Sequence, residues 1–358
     1  MKSALVIPVS LLLQTAAWSA HAYNANWQGP HKFDQGGTGP SVAVAGGYGM
    51  ELHMGGGELW DHSPNANPPN PPFNLGSSLV PNSVNGANPD VATASDDPTT
   101  FIAEYADSSN YLHYALWTSQ NGWYSQTGIG QQGFFPSIAS ADGTIAVEVH
   151  QGQLGIGSLW MNVGYASFGY TGGTYGWTGI STWVPYEFVT ANAMLPSVSI
   201  LNLTNSTYLI IVVMQTAGGA NGTQPLESIA GLLTLQSGGN YALSWTSILP
   251  HFTTGSRPAV AICDFYQGVS NQTIPVLQVN EGPNGNLWSH IGLFTVVNGS
   301  SSNPTVSFSW VQGSDDNYDT GFTPKLGCEN FTTGGYGVEV HQSGADNGDL
   351  FYREFNLQ

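Results

Sequence analysis

Positive charge is scarce in this chain of 358 residues. Lys and Arg number five against 23 Asp and Glu, which gives a formal net charge of −18 at pH 7. So few cations cannot neutralise a row of phosphates or hold the chain on an anionic lipid surface. The composition therefore argues against nucleic acid and anionic membranes as partners and is compatible with a neutral ligand.

Long apolar runs are also scarce. The run at residues 4–13 follows Lys2 and precedes the small-x-small sequence at residues 20–22, an order typical of a secretory signal. No later segment is long and apolar enough for a membrane helix. We expect residues 1–22 to be a signal peptide, residues 23–358 to be one domain, and the protein to be secreted and extracellular.

Only two cysteines occur, Cys263 and Cys328. An even count in an exported protein favours a disulfide between them. Sequons for N-glycosylation are more numerous, and all lie after residue 200. We predict them as glycosylation sites: Asn202, Asn205, Asn221, Asn271, Asn298 and Asn330.

A short phrase of the type Pro-Ser-Val-Ala recurs along the chain. Its copies begin at Pro40, Pro89, Pro136, Pro196, Pro258 and Pro324. Successive copies stand 47 to 66 residues apart, the length of a propeller blade with loop insertions. A Trp stands 13 or 14 residues before every copy except the one at Pro89: Trp27, Trp123, Trp183, Trp245 and Trp310. We expect these five to pack between blades.

Each unit has the pattern of four short strands separated by Gly-, Asn- and Ser-rich turns. Small residues after the Pro suit an innermost strand near a narrow axis. The chain ends on the third strand of its last unit and begins with an unpaired strand at residues 27–33. We therefore predict an all-β, six-bladed β-propeller, closed by pairing of the N-terminal strand with the C-terminal blade. Residues 64–88 are expected to be a loop, and residues 165–175 are expected to be a surface insertion.

A Glu-x-His element follows three of the Pro phrases. On a strand, its two side chains point to the same face. The pairs are Glu51 with His53, Glu148 with His150, and Glu339 with His341. Three interpretations are open: a buried hydrogen-bonded network between blades, a ligand-binding role, or a metal site. No third metal ligand is evident, and we expect no metal and no cofactor.

Three further Trp residues close their units beside turns: Trp60, Trp160 and Trp288. Flat aromatic faces at blade edges are surfaces on which sugar rings stack. Catalytic motifs are missing: G-x-S-x-G and H-E-x-x-H do not occur. A carboxylate-rich segment at residues 315–321 resembles a calcium loop but departs from the EF-hand pattern. We predict no catalytic residues.

The Trp-x12-Pro-Ser-Val-Ala spacing, the Glu-Val-His-Gln sequences at Glu148 and Glu339, and the Leu-Trp endings resemble lectin-type β-propellers. These are the fungal fucose-binding lectins and the related bacterial propeller lectins. The resemblance implies a lectin with monosaccharide sites between blades. The fucose pocket of that family uses an Arg, a Glu and aromatics, and most units here have no Arg.

The leading hypothesis is thus a secreted lectin that binds neutral glycans through the three Trp residues and the three Glu-x-His pairs. Two alternatives stay open. One is an extracellular glycoside hydrolase with a central pocket, and the other is a wall or matrix propeller that binds protein partners. The oligomeric state is not indicated by the sequence.

Overall fold

The computed structural model describes residues 23–358 except 66–71, 82, 84–86, 95–99, 153–156, 172–173, 205, 218–223, 237–239, 264–266, 268, 270, 300–303, 330–334 and 345–347. The proposed signal at residues 1–22 lies outside the described residues. The described part of the chain is all-β, with one short 3-10 turn at Pro283–Gly285. None of its helical residues forms a segment with the length and hydropathy of a membrane span.

The first twelve strands cover the N-terminal half. They are β1 (Ala25–Ala45), β2 (Tyr48–Gly55), β3 (Glu58–His62), β4 (Ser78–Leu79), β5 (Ala87–Thr93), β6 (Thr100–Ala106), β7 (Tyr111–Thr118), β8 (Gly122–Gln132), β9 (Phe134–Ala141), β10 (Ile145–Gln151), β11 (Ser158–Thr171) and β12 (Thr174–Ala191).

The remaining twelve continue to the C-terminus. They are β13 (Ala193–Thr204), β14 (Thr207–Thr216), β15 (Gln224–Leu235), β16 (Tyr241–Trp245), β17 (Leu249–Ile262), β18 (Asn271–Glu281), β19 (Asn286–Val297), β20 (Thr305–Trp310), β21 (Asp316–Thr320), β22 (Phe322–Cys328), β23 (Tyr336–Gln342) and β24 (Gly348–Leu357).

Four antiparallel sheets contain these strands. Two of the sheets have four strands each, arranged in chain order: β5 to β8 and β9 to β12. The third has the order β22-β23-β24-β1-β2-β3-β4, and the fourth runs from β13 to β20 with β16 and β21 as side branches. Two long strands join neighbouring units: the first part of β1 pairs with β24 and the second with β2, while β17 likewise passes from β15 to β18.

The apolar cores lie between units rather than within one sheet. In β10, Val147 and Val149 pack in a cluster with β13 to β15, whereas Ala146 packs on the opposite face with residues of β5 to β7. Every residue of β10 is buried. Successive side chains of a strand alternate between faces, so one strand contributes to both of its neighbours.

Six strands line a central channel: β1, β5, β9, β13, β17 and β22. Each contacts the next in this order, and β22 contacts β1. The channel walls are built from the same positions in every strand, two to four residues after the Pro: residues 42–44, 91–93, 138–140, 198–200, 260–262 and 326–328.

The residue before each Pro adopts a left-handed backbone. Their φ angles lie between 47° and 57°: Gly39, Asn88, Phe135, Leu195, Arg257 and Thr323. The strand pairing skips this residue and its Pro in all six strands, which is a β-bulge at matched places. Only the first of the six is the glycine that this conformation favours.

The sequence expectation that residues 64–88 form only a loop is wrong. Ser78–Leu79 forms a short strand paired with β3 inside the segment expected to be a loop. Residues 165–175 are largely strand, because β11 and β12 continue their pairing as far as Thr171 opposite Thr174. This extended hairpin is compatible with the surface insertion expected there, because aromatic and β-branched content also suits strands.

Candidate ligand-binding sites between the sheets

The Glu-x-His pairs occupy equivalent places on β2, β10 and β23. All six side chains are buried, at 0% relative exposure for each Glu and 2–4% for each His. In each pair the His Nδ1 lies within hydrogen-bonding distance of a Glu oxygen: 3.1 Å for His53, 2.8 Å for His150 and 3.0 Å for His341. The geometry is that of a hydrogen-bonded network between units, and the ligand role remains a prediction.

Two further positions complete each network, and the sequence pattern did not reveal them. The first stands opposite the Glu on the third strand: His62, Asn162 or Arg353. The second comes from the outermost strand of the preceding unit: Asp34, Gln131 or Asp319. The first position holds a different residue type in each unit and the second is Asp in only two of them, so no repeated motif marks these positions.

At the β2 site, two histidines face one carboxylate. Asp34 Oδ2 lies 3.0 Å from His62 Nε2 and 3.6 Å from His53 Nε2. Burial alone would lower the pKa of His53, but the Glu51 carboxylate and then Asp34 outweigh it, so the pKa is raised. Next to this site, Trp123 donates a 2.7 Å hydrogen bond to the buried Asp61.

At the β10 site, the network is made of amides. Asn162 Nδ2 donates to Glu148 Oε2 at 2.5 Å and to Gln131 Oε1 at 3.2 Å, and Gln131 Nε2 donates back to Asn162 Oδ1 at 2.9 Å. An amide can donate and accept at once, so both Asn162 and Gln131 are satisfied.

At the β23 site, a guanidinium takes the corresponding place. Arg353 Nε donates to Asp319 Oδ2 at 2.5 Å, and that oxygen lies 3.6 Å from His341 Nε2. Phe351 stacks on His341 with ring centroids 5.8 Å apart. Burial lowers the pKa of His341, but Glu339 outweighs it and the pKa is raised. Asp319 is thus in a strand and ion-paired rather than in a calcium loop.

A fourth network lies on β18 without the Glu-x-His sequence. His290 contacts Asp315 Oδ1 at 2.7 Å and Asn280 Oδ1 at 3.0 Å. His251, from the preceding unit, meets His290 edge to face at 4.5 Å. Burial, and then the charge of His290, lowers the pKa of His251 to about 3. His251 is therefore neutral across the physiological range.

The three turn-side Trp residues lie next to three of these networks. Trp60 stands opposite His53, Trp160 opposite His150, and Trp288 opposite Asn280. Directly opposite residues project from the same face of a sheet. Trp160 is 36% exposed, and the other two are partly exposed. Each aromatic face thus borders a buried polar pair.

Glycines let the Trp rings lie flat against the adjacent strand. A Cβ at Gly55, Gly152 or Gly282 would come within 2.7–3.0 Å of the indole of its Trp. The Trp60 Nε1 also donates to the Gly55 carbonyl at 3.0 Å. The recurrence of this Gly–Trp contact fixes the orientation of all three rings.

The Trp residues that precede the Pro phrases have a different setting. Trp310 is buried and donates to Ser228 at 3.0 Å, and Trp27 stacks on Tyr318 at 4.1 Å. These contacts join neighbouring units, which agrees with the packing role expected of them.

At one end the channel opens into a cavity of about 220 Å³. All six repeat prolines line it, together with Arg257 and Lys325. Its described lining residues include no carboxylate. Lys325 is held by Asp90, whose Oδ1 lies 3.1 Å from Nζ.

The predicted disulfide is confirmed. Cys263 and Cys328 are bonded, with their Cα atoms 5.2 Å apart, and they follow β17 and end β22. Of the sequons, Asn271 and Asn298 are exposed. Asn202 is part-buried and donates to Asp142, while Asn205, Asn221 and Asn330 lie outside the described residues. Glycosylation remains a prediction.

No protein-family model matches the sequence, and no curated protein matches it. Solved structures do match the fold. AofleA from Arthrobotrys oligospora has a TM-score of 0.55 at 10% identity, covering 93% of this chain and 86% of that chain. A variant of AofleA with three Arg-to-Ala substitutions gives 0.53 at 9% identity, with the same coverage.

A further structural neighbour is a single-substitution mutant of Aleuria aurantia lectin in complex with alpha-methyl-L-fucoside. Its TM-score is 0.49 at 8% identity, covering 91% of this chain and 96% of that chain. With the TM-scores above 0.5 for the two AofleA structures, the resemblance to lectin-type β-propellers is confirmed at the level of the fold. Identities this low establish an architecture and not a ligand.

Proposed function

We propose that this protein is a secreted lectin that recognises neutral glycans at sites between the blades of a six-bladed β-propeller. One observation carries the proposal: a partly exposed Trp bordering a buried polar network recurs in three units, around Trp60, Trp160 and Trp288. An aromatic face beside fixed hydrogen-bonding groups is an arrangement that suits a sugar ring.

The repeat geometry supports the six blades. Dividing β1 and β17 where their partners change yields six antiparallel units. The six channel-lining strands, their matched bulges and their mutual contacts give one such strand to each unit. The pairing of Trp27 with Phe355 and Lys32 with Phe351 would complete the last blade and leave fewer open sheet edges.

The charge pattern supports a neutral ligand. The networks beside Trp60 and Trp160 each contain a buried Glu, the one beside Trp288 contains Asp315, and the chain has a net charge of −18. Such surroundings repel carboxylated or sulfated sugars, whereas hydroxyl groups can donate to carboxylates. A hydrolase would need two facing carboxylates at its pocket, and the described lining of the central cavity has none.

The disulfide supports export. Disulfides form and persist in oxidising compartments, and Cys263–Cys328 joins two strands of the channel wall. The expected mature chain starts at Tyr23. Mass spectrometry of the protein recovered from the medium tests this; recovery of residues 1–22 attached to it would contradict the signal assignment.

A glycan array with residues 23–358 tests the proposed function. Bound neutral glycans are then titrated by calorimetry against Trp160→Ala, Trp160→Phe and the exposed-residue control Ile248→Ala. We expect Trp160→Ala to remove one of three sites, or to weaken it roughly tenfold, while Trp160→Phe retains part of the stacking energy. Ile248→Ala should bind as the wild type does.

Two results would contradict the proposal. The first is an array without any bound glycan when circular dichroism shows the β fold intact. The second is equal loss of binding in Trp160→Ala and Ile248→Ala, which would place the glycan away from the Trp face.

A further inference from the structure

Three possible metal ligands converge at the β2 site. Asp34, His53 and His62 each place one donor atom within 4.8 Å of the other two. The two histidines are buried, and the Asp34 side chain is 23% exposed. They come from β1, β2 and β3, so three strands hold the cluster from three sides.

The hydrogen bonding of His62 leaves a lone pair facing a carboxylate. Its Nδ1 lies 2.7 Å from the Asn74 carbonyl, which can only accept, so Nδ1 carries the proton. In a neutral ring Nε2 is then bare, yet it lies 3.0 Å from Asp34 Oδ2. Two acceptors at this distance repel each other unless a cation or a second proton lies between them.

His53 repeats the arrangement. Its Nδ1 lies 3.1 Å from Glu51 Oε2, and its Nε2 faces the same oxygen of Asp34 at 3.6 Å. Histidines that bind metals ordinarily donate their other ring N–H to a carboxylate or a backbone carbonyl. Glu51 and the Asn74 carbonyl occupy those two outer positions.

The surrounding charge calls for a cation. Glu51 is fully buried and its Oε1 has no hydrogen-bond partner among the described residues. Asp61 is also buried, and Asp34 forms no ion pair with Lys or Arg among the described residues. Buried carboxylates need compensation, and protons alone would have to neutralise several groups at once.

We propose that Asp34, His53 and His62 bind a divalent transition-metal ion of the Zn²⁺ type. Zinc takes His nitrogen and carboxylate oxygen at about 2.0–2.2 Å, so tetrahedral ligands stand about 3.3 Å apart. The two measured separations, 3.0 and 3.6 Å, bracket that value. Three protein ligands leave a position for water at the exposed side of Asp34.

This set of ligands occurs once among the three Glu-x-His sites. At the β10 site, Asn162 and Gln131 replace the second histidine and the aspartate, and at the β23 site Arg353 replaces the second histidine. A guanidinium would repel a metal ion, and an amide pair would bind one poorly. The equivalent His150 therefore offers a matched control.

Residues 23–358, stripped with chelator, are titrated with Zn²⁺ by calorimetry and with Co²⁺ by visible absorbance. We expect one ion per chain and Co²⁺ ligand-field bands of a low-coordinate site. Asp34→Asn and His62→Asn should weaken binding by at least about tenfold, and His150→Asn should leave it unchanged. Zn²⁺ should raise the unfolding temperature of the wild type and not that of Asp34→Asn.

Asp34→Asn keeps the test valid if His62→Asn fails to fold, because Asp34 is partly exposed. Substoichiometric binding in the wild type, or equal affinity in Asp34→Asn and His150→Asn, would overturn the proposal. So would His53 and His62 rings that stay doubly protonated in NMR spectra whether Zn²⁺ is present or not. Metal binding is measured in the absence of sugar, so a glycan array without bound glycans would not affect the conclusion about the metal site.

Discussion

Glu104 is a buried carboxyl group on β6. Its exposure is 0%, and neither of its oxygens has a hydrogen-bond partner among the described residues. Burial, followed by the charges of Glu148 and Asp90, raises the pKa of Glu104 well above its usual value of 4.5. The folded protein therefore keeps a proton on Glu104 that the unfolded chain releases.

The consequence is a stability that depends on pH. A raised folded pKa means that the stability is fully present below about pH 4.5 and falls as the pH rises toward the folded pKa. The slope for one proton is about 1.4 kcal/mol per pH unit. Glu104→Gln removes the titration, so its advantage over the wild type should grow by roughly 2–3 kcal/mol over two pH units.

Urea unfolding followed by Trp fluorescence, repeated between about pH 5 and 7, measures the effect. The control is Glu58→Gln, which changes a partly exposed carboxylate at the start of β3. The free energy of unfolding of Glu58→Gln should change with pH in the same way as that of the wild type. If that of Glu104→Gln also changes in this way, Glu104 is ionised in the folded protein and the reasoning from burial is refuted.

Other substitutions address separate features. Replacing Cys263 and Cys328 together by Ala frees a loop of 65 residues, and urea unfolding should show a loss of about 4 kcal/mol; a loss below about 1 kcal/mol would show that the folded sheet edges need no cross-link. Arg353→Met removes the guanidinium that pairs with the largely buried Asp319 and should cost about 3 kcal/mol, whereas Lys32→Met breaks an exposed pair and should cost under about 1 kcal/mol. Asn tolerates a φ of 51° better than Leu does, so Leu195→Asn should raise the unfolding temperature. An unchanged or lower unfolding temperature would contradict the idea that the backbone at Leu195 is strained.

The repeat pattern predicted much of the architecture. Pro, Trp and the apolar-Glu-apolar-His alternation mark local features of each unit, and period-two patterning follows directly from strand geometry. The disulfide was predictable because Cys263 and Cys328 follow their Pro phrases at similar distances. Matched positions in equivalent strands are brought to matched places in space.

The composition of the networks was not predictable in the same way. Asp34 and His62 lie in strands that meet only after distant segments pair, and the counterparts of His62 in the other units are Asn162 and Arg353. The left-handed residue before each Pro was also invisible, because Phe135 and Leu195 give no sign of that conformation. A bulge imposed by the packing of six strands overrides their local preference.

The pairing of β1 with β24 brings the two ends of the described chain side by side. Asn24 and Gln358 exchange backbone hydrogen bonds of 2.9 and 3.1 Å. A peptide of a few residues could therefore join them, and new termini could be opened at the exposed turn Gly56-Gly57. A circularly permuted chain could therefore begin with a different unit and still keep the same arrangement of the units in the folded protein.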